Sequence, residues 1–278
     1  MLRTSSVSSG GAARDGRGFQ MDLLRDRPRR LGRLVARGIA IGLVMSGVAH
    51  TQGLRVPDSR LPRLPDGRPN LTAPAPQTAD GKPDLSGIWH SADGKYLNNL
   101  AADGIEAPFQ PWAAALFGER RRNEGKDRPS GRCLPRGLPS AMLVRDYPWK
   151  IVQTPGVILI LFDESLHYRQ ILTDGRDFPA DPAPTWLGYS IGKWEGDTLV
   201  AETRGFNEET WLDEGGHPHS DAMHVTERLR RRTVGTMDIE ITIDDPKAYT
   251  KPWTATVRFE LLPDTELPEH VCAVYPIR

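Results

Sequence analysis

The chain is short of cysteine, with only Cys133 and Cys272 in 278 residues. So low a count excludes a disulfide-dense mini-domain and the Cys/His knuckles of structural zinc. Surplus charge is also missing, since Lys+Arg and Asp+Glu both number 36. A nucleic-acid binder needs excess cation to neutralise phosphates, so that class is excluded. The longest apolar run, Ile39 to Ala49, holds about 11 residues against the roughly 20 of a membrane-spanning helix. Absent too are a Gly-x-Ser-x-Gly elbow, a phosphate-binding Gly-x-x-x-x-Gly-Lys and a Gly-x-Gly-x-x-Gly after a strand. No cofactor is therefore expected. Proline (24) and glycine (27) are raised but stay below low-complexity levels.

What is present divides by position. Residues 1–53 hold nine Arg, three Asp and no Lys, so the neutral total hides a basic N-terminus and an acidic remainder. Arg29-Arg30, Arg33 and Arg37 precede the apolar run, and Gly47-Val48-Ala49 end it. This order reads as a secretory signal peptide, with Met21 a plausible start and twin-arginine export left open. The mature chain is thus expected in the periplasm or medium, without stable membrane insertion. In that oxidising setting Cys133 and Cys272 are expected to form a disulfide, a catalytic thiol being the alternative. Residues 54–83, rich in proline and without apolar period, read as a disordered leader before one domain over 84–278.

One N-terminal helix is expected from Pro111 to Arg122, with proline in its first turn and arginines in its last. From Trp149 onward the pattern is β. Thr236 to Ile243 alternates Met237, Ile239, Ile241 and Ile243 with polar residues, and Glu195-Gly196-Asp197 signals a hairpin turn. Eight or so short strands predict a mainly β fold, an antiparallel β-barrel, with a β-sandwich as alternative. Many strands carry one apolar and one polar face, which predicts a barrel with a polar-lined interior. Gly87-Ile88-Trp89 resembles the Gly-x-Trp opening of lipocalins, implying a lipocalin- or calycin-like barrel.

Chemistry-bearing residues concentrate between Thr210 and Glu227, where three of the seven histidines fall within eight residues. Histidine titrates near neutrality and suits proton transfer or metal ligation. Alternation puts His224, Thr226, Arg228 and Arg230 on one strand face. If that face lines a cavity, His219 and His224 transfer protons while Asp213 or Glu227 orients an imidazole. The alternatives are a solvated His217 and a core His224. The His217, His219, His224 spacing fits no standard zinc pattern, so no metal is assigned.

For substrate binding, Arg169 and Arg176 are suited to clamp an anion, unless Arg176 merely pairs within the turn at Asp174-Gly175. Trp186, Trp211, Tyr249 and Trp253 line a ligand cavity or else fill the core. The leading expectation is a periplasmic barrel enzyme (hydrolase, lyase or isomerase) acting on a small, partly apolar oxygenated molecule. The alternatives are a non-catalytic lipocalin-like carrier of a hydrophobic ligand and a metal-dependent hydrolase.

Several segments resemble a large group of exported bacterial proteins of unknown function. They are Cys133-Leu134-Pro135-x-Gly137, Thr173-Asp174-Gly175-Arg176, Pro184-Thr185-Trp186-x-Gly188-x-Ser190-Ile191-Gly192 and Trp194-Glu195-Gly196-Asp197-Thr198-Leu199-Val200. Gly205-Phe206-Asn207, Trp211-Leu212-Asp213, His219-Ser220 and Ile243-Asp244-Asp245-Pro246-Lys247 complete the set, over roughly residues 84–275. The resemblance implies a secreted, β-rich protein and carries no activity onto these positions.

Overall fold

The alternating runs between Gly87 and Leu261 become nine strands in the computed structural model, which describes residues 56–164 and 167–272. They are β1 (Gly87–Ser91), β2 (Trp149–Thr154), β3 (Val157–Phe162), β4 (Tyr168–Leu172), β5 (Tyr189–Glu195), β6 (Thr198–Arg204), β7 (His224–Arg231), β8 (Thr236–Asp244) and β9 (Trp253–Leu261). Each pairs with its neighbour in sequence, and β9 pairs back onto β1 to close a barrel. The predicted signal peptide lies outside the described residues.

An odd number of strands cannot alternate direction all the way round a ring. One neighbouring pair must run parallel, and here it is β4–β5. This pair is joined in register at only Ile171↔Ser190 and Leu172↔Ile191, whereas β8–β9 is joined at eight positions. A parallel pair also needs a crossover, which residues 173–188 supply. The expected antiparallel barrel is therefore present with this single exception. The hairpin at residues 195–198 forms as read, with Gly196 at φ +59°, the glycine-first arrangement of a two-residue turn.

Tight turns gather at one end of the barrel and long loops at the other. The β1–β2 connection carries α1 (Lys95–Asn98), α2 (Pro111–Arg122) and α3 (Ser140–Leu143). The helix expected at Pro111 to Arg122 is α2. Cys133 and Cys272 are joined by a disulfide, as expected.

The expected polar-lined hollow is corrected by the packing. Trp89, Trp149, Phe259, Ile239, Ile241 and Val257 all point inward and are fully buried. Trp149 meets Phe259 edge-on at 5.3 Å. On β7 the buried face is Val225, Glu227, Leu229 and Arg231, so His224, Thr226, Arg228 and Arg230 face outward. Apolar content decides this orientation, because Val225 and Leu229 gain more from burial than their neighbours would.

Three inward charges are accommodated, two by pairing with each other and the third by carbonyls. Arg169 from β4 donates to Glu227 Oε2 on β7, to Thr203 Oγ1 at 2.8 Å and to Ser190 Oγ at 3.0 Å. At the tight-turn end Arg231 donates to the carbonyls of Ser86 and Thr233 (both 3.2 Å) and lies over the Trp89 ring. Burial pushes its pKa down to about 10.

The leader expected to be disordered is strapped to the barrel over residues 56–83. Proline cannot donate to a ladder, but the carbonyls of this segment accept. Val234 N donates to Ala73 O (2.9 Å) and Gly235 N to Leu71 O (2.8 Å), while Arg63 grips Asp264. A Cβ on Gly235 would stand 2.5 Å from Leu71 Cβ, so only glycine allows the approach.

Breaking a buried ion pair strands the surviving charge, at a cost of about 3–5 kcal/mol, whereas replacing both partners by apolar groups is often neutral. Glu227→Ala should therefore lower unfolding free energy by about that amount. Arg169→Met combined with Glu227→Leu should recover most of it. Urea denaturation of the parent and the two variants measures this, and a double variant no more stable than Glu227→Ala would show the pair to be uncoupled.

Candidate functional site

The loop end gathers most of the residues singled out for chemistry, but it uses many of them as structural anchors. Asp213 sits at the start of a tight turn whose backbone converges on its carboxylate. Gly216 N (2.9 Å) and His217 N (3.1 Å) donate to Oδ1, while Leu100 N and His217 Nδ1 (both 2.6 Å) donate to Oδ2. Asp213 therefore does orient an imidazole, that of His217. The solvated His217 considered from sequence is corrected. The ring is buried under α2, 4.3 Å from the Phe117 ring and 5.7 Å from that of Trp253.

His219 is buried and satisfied. Its Nδ1 faces the Ser220 carbonyl at 3.1 Å and its Nε2 faces Thr210 Oγ1 at 2.6 Å. A carbonyl only accepts, so Nδ1 carries the proton and Nε2 accepts from threonine. Burial holds the pKa of this ring below its ordinary value. His224 stands on the outer wall, 3.5 Å from Glu202 Oε2 but out of hydrogen-bond geometry. Its pKa too is pushed down, by burial and then by Arg204. Glu227 is inside the barrel on Arg169. The structure thus does not bring His219, His224 and Glu227 to one place. Among the described residues no three His, Cys, Asp or Glu side chains are grouped to hold a metal ion.

The expected binding residues also separate. Arg176 closes on Asp174 in its own turn and is half exposed. Tyr249 is buried and donates to Pro218 O at 2.8 Å, and Trp253 packs against it edge-on. Both stand in the core of the loop end. Asp245, beside them, accepts from Ser220 N at 2.6 Å and Ser220 Oγ at 2.7 Å, locking the β8–β9 loop to the histidine loop. Trp186 and Arg169 meet in a cleft of about 280 Å³ along the β4–β5 seam.

Trp211 leads to a larger cleft. It is buried beneath Arg120 of α2, whose guanidinium lies 4.2 Å above its ring. Arg120 opens onto a hollow of about 640 Å³, within the usual range for small-molecule sites. Arg121, Arg128 and Arg136 also line it, against Glu124, Glu164 and Glu214. The wall is completed by Tyr147 stacked on His270 at 4.5 Å and by Cys272 of the disulfide.

These charges are unequally matched. Arg136 binds Glu164 and Glu214; burial pulls its pKa down, and the two carboxylates outweigh that and hold it up. Arg128 reaches Glu214 Oε2 at 3.0 Å, and Ser130 donates to Oε1 at 2.6 Å. Arg120 has no carboxylate within ion-pair reach among the described residues; its polar contact is Gly216 O at 3.2 Å. Burial pushes its pKa down to about 10. The sequence reading saw Arg120 to Arg122 only as partners of the helix dipole and passed over Arg136. The disulfide, joining segments 128–139 and 270–272, was the signal that could have located this cleft.

The buried histidines set an acid limit on stability. His90, His219 and His224 all have pKa values lowered chiefly by burial, from an ordinary 6.5. The unfolded chain therefore takes up protons first as pH falls through 6.5, and stability declines from there downward. The urea midpoint should be lower at pH 5.5 than at pH 7.5. His219→Gln should lower it at pH 7.5 yet shrink the difference; an undiminished difference would rule out His219 as a source.

In comparisons with known proteins, the chain matches no protein-family model, and no curated protein matches it.

Proposed function

We propose that the protein is exported and binds a small, partly apolar molecule carrying a carboxylate or similar oxyanion in the loop-end cleft. The observation that carries this reading is Arg120, a largely buried cation above Trp211 with no carboxylate partner among the described residues. Desolvated charge is costly unless compensated, and a bound oxyanion would supply the compensation. Tyr147 and Leu97 line the cleft, and the Trp211 ring lies beneath the guanidinium. Export is supported by the basic and apolar N-terminal pattern and by the disulfide, which persists in oxidising compartments. The likeness to exported bacterial proteins points the same way. Among the described residues no helix is long and apolar enough to cross a membrane.

Acid–base turnover is a second reading, favoured by Asp163. Its Oδ1 is buried without a partner, and burial raises its pKa beside His270 and Glu164. A carboxyl with a raised pKa next to Glu164 and His270, which line the cleft, fits a general acid. The site then lies at 163–164 and 270, not at His219 and His224. The lipocalin-like carrier of a hydrophobic ligand draws less support, since the barrel interior is filled.

Titration calorimetry with benzoate and cinnamate, with benzamide as the neutral control, tests the binding reading. Losing one charge-assisted contact costs about 1.5–3 kcal/mol, so Arg120→Ala should weaken carboxylate binding by roughly 10- to 100-fold. Binding should also weaken as salt rises. Equal affinity for benzamide, or an Arg120→Ala protein that binds as the parent does, would exclude the proposal.

A further inference from the structure

The parallel seam holds a second cleft, unlike the first in composition. Below Ile171↔Ser190 the ladder between β4 and β5 stops, and the cleft of about 280 Å³ opens there. Its volume sits just under the roughly 300–1,000 Å³ of drug-sized sites, which suits one ring better than a chain. Trp186 is held as a plate at its edge by its neighbours: Thr185 is hydrogen-bonded through N to Gly205 O and through O to Asn207 N, both at 2.9 Å, and Leu187 is buried. Tyr168, 62% exposed, and Tyr189 form further walls.

The charge of the cleft selects the occupant. Among the described residues the only Arg, Lys, Asp or Glu on its lining is Arg169, which Glu227 already neutralises, and His167 lines it too. An anion would therefore gain little here. The Arg169 side chain is almost wholly buried, held on the barrel side by Glu227, Thr203 and Ser190 with its Nη1 against the buried Met142 Sδ at 3.9 Å, so it supports the inner side of the cleft. Ser190 shares the lining with Arg169, and Gln170 and Thr185 add further hydrogen-bonding groups around the Trp186 plate. Uncharged hydrogen-bonding side chains lining one cleft with an aromatic side chain match a ring with hydroxyls around its rim and an apolar C–H face. They match a phenol, polar at one point, less well.

We infer that the β4–β5 seam is a binding site for a neutral monosaccharide unit, stacked on Trp186 and hydrogen-bonded by Gln170 and Thr185 above the Arg169–Ser190 floor. This site is independent of the oxyanion cleft at the loop end.

The test uses the mature, disulfide-bonded protein and three probes, the methyl glycosides of glucose, galactose and mannose, with phenol and glucuronate for comparison. Saturation-transfer NMR and tryptophan fluorescence read the binding. At least one glycoside should bind saturably, at least tenfold tighter than to Trp186→Ala and with the same affinity for Arg120→Ala. Should Trp186→Ala fail to fold, Tyr168→Ala, altered at an exposed side chain, should show a loss of at least threefold. The inference is overturned if no glycoside binds, if phenol or glucuronate alone binds, or if the seam variants bind glycoside as the parent does. Loss of benzoate binding in Arg120→Ala with glycoside binding intact would separate the two clefts.

Discussion

The packing of the barrel interior is the constraint on which the remaining features depend. A sheet of about eight strands encloses just enough space for its own side chains to fill, and this nine-stranded wall fills the space with Trp89, Trp149 and Phe259 among aliphatic neighbours. With the axis occupied, no ligand is met inside the barrel. The tight-turn end is stoppered by Arg231 and by the strapped segment 56–83. The loop end and the seam both carry clefts.

The two clefts arise from different physical causes. The loop end must cover hydrophobic strand termini with irregular chain, and the backbone groups of that chain need partners. Asp213 and Asp245 supply them, each carboxylate drawing in several N–H groups. Helix α2 then lies over this buried layer and carries Arg120 to the rim. The seam follows from strand parity, since a parallel pair shortened to two registered positions leaves a gap that only side chains can line.

Much of the fold was legible because it rests on local pattern. Thr236 to Ile243 alternates without exception, and Glu195-Gly196-Asp197 has the one residue that adopts the turn's positive φ freely. Period two, however, gives two faces without saying which is inside. On β7 both faces carry charge, and the inward one bears Glu227 and Arg231. The apolar residues Val225 and Leu229 were the better guide than the histidine. The loop histidines were harder to place. Proline and glycine around His217 and His219 resemble an exposed loop, and only the distant acceptors and rings (Phe109, Phe117, Tyr249) show that it folds inward. Arg169 and Trp186 were singled out separately, and the fact that they share one cleft depends on the β4–β5 pairing, which no local pattern encodes.

The disulfide divides the wall in an uneven way. Strands β2 to β9 all lie between Cys133 and Cys272, inside one covalent loop spanning 139 positions. Strand β1 lies outside that loop, held between β2 and β9 by hydrogen bonds and by the seating of Trp89. The crosslink therefore tethers eight staves of the cask and leaves the ninth unhooped. Peeling β1 away, together with the proline-rich strap that precedes it, would bare two strand edges at once without breaking a covalent bond.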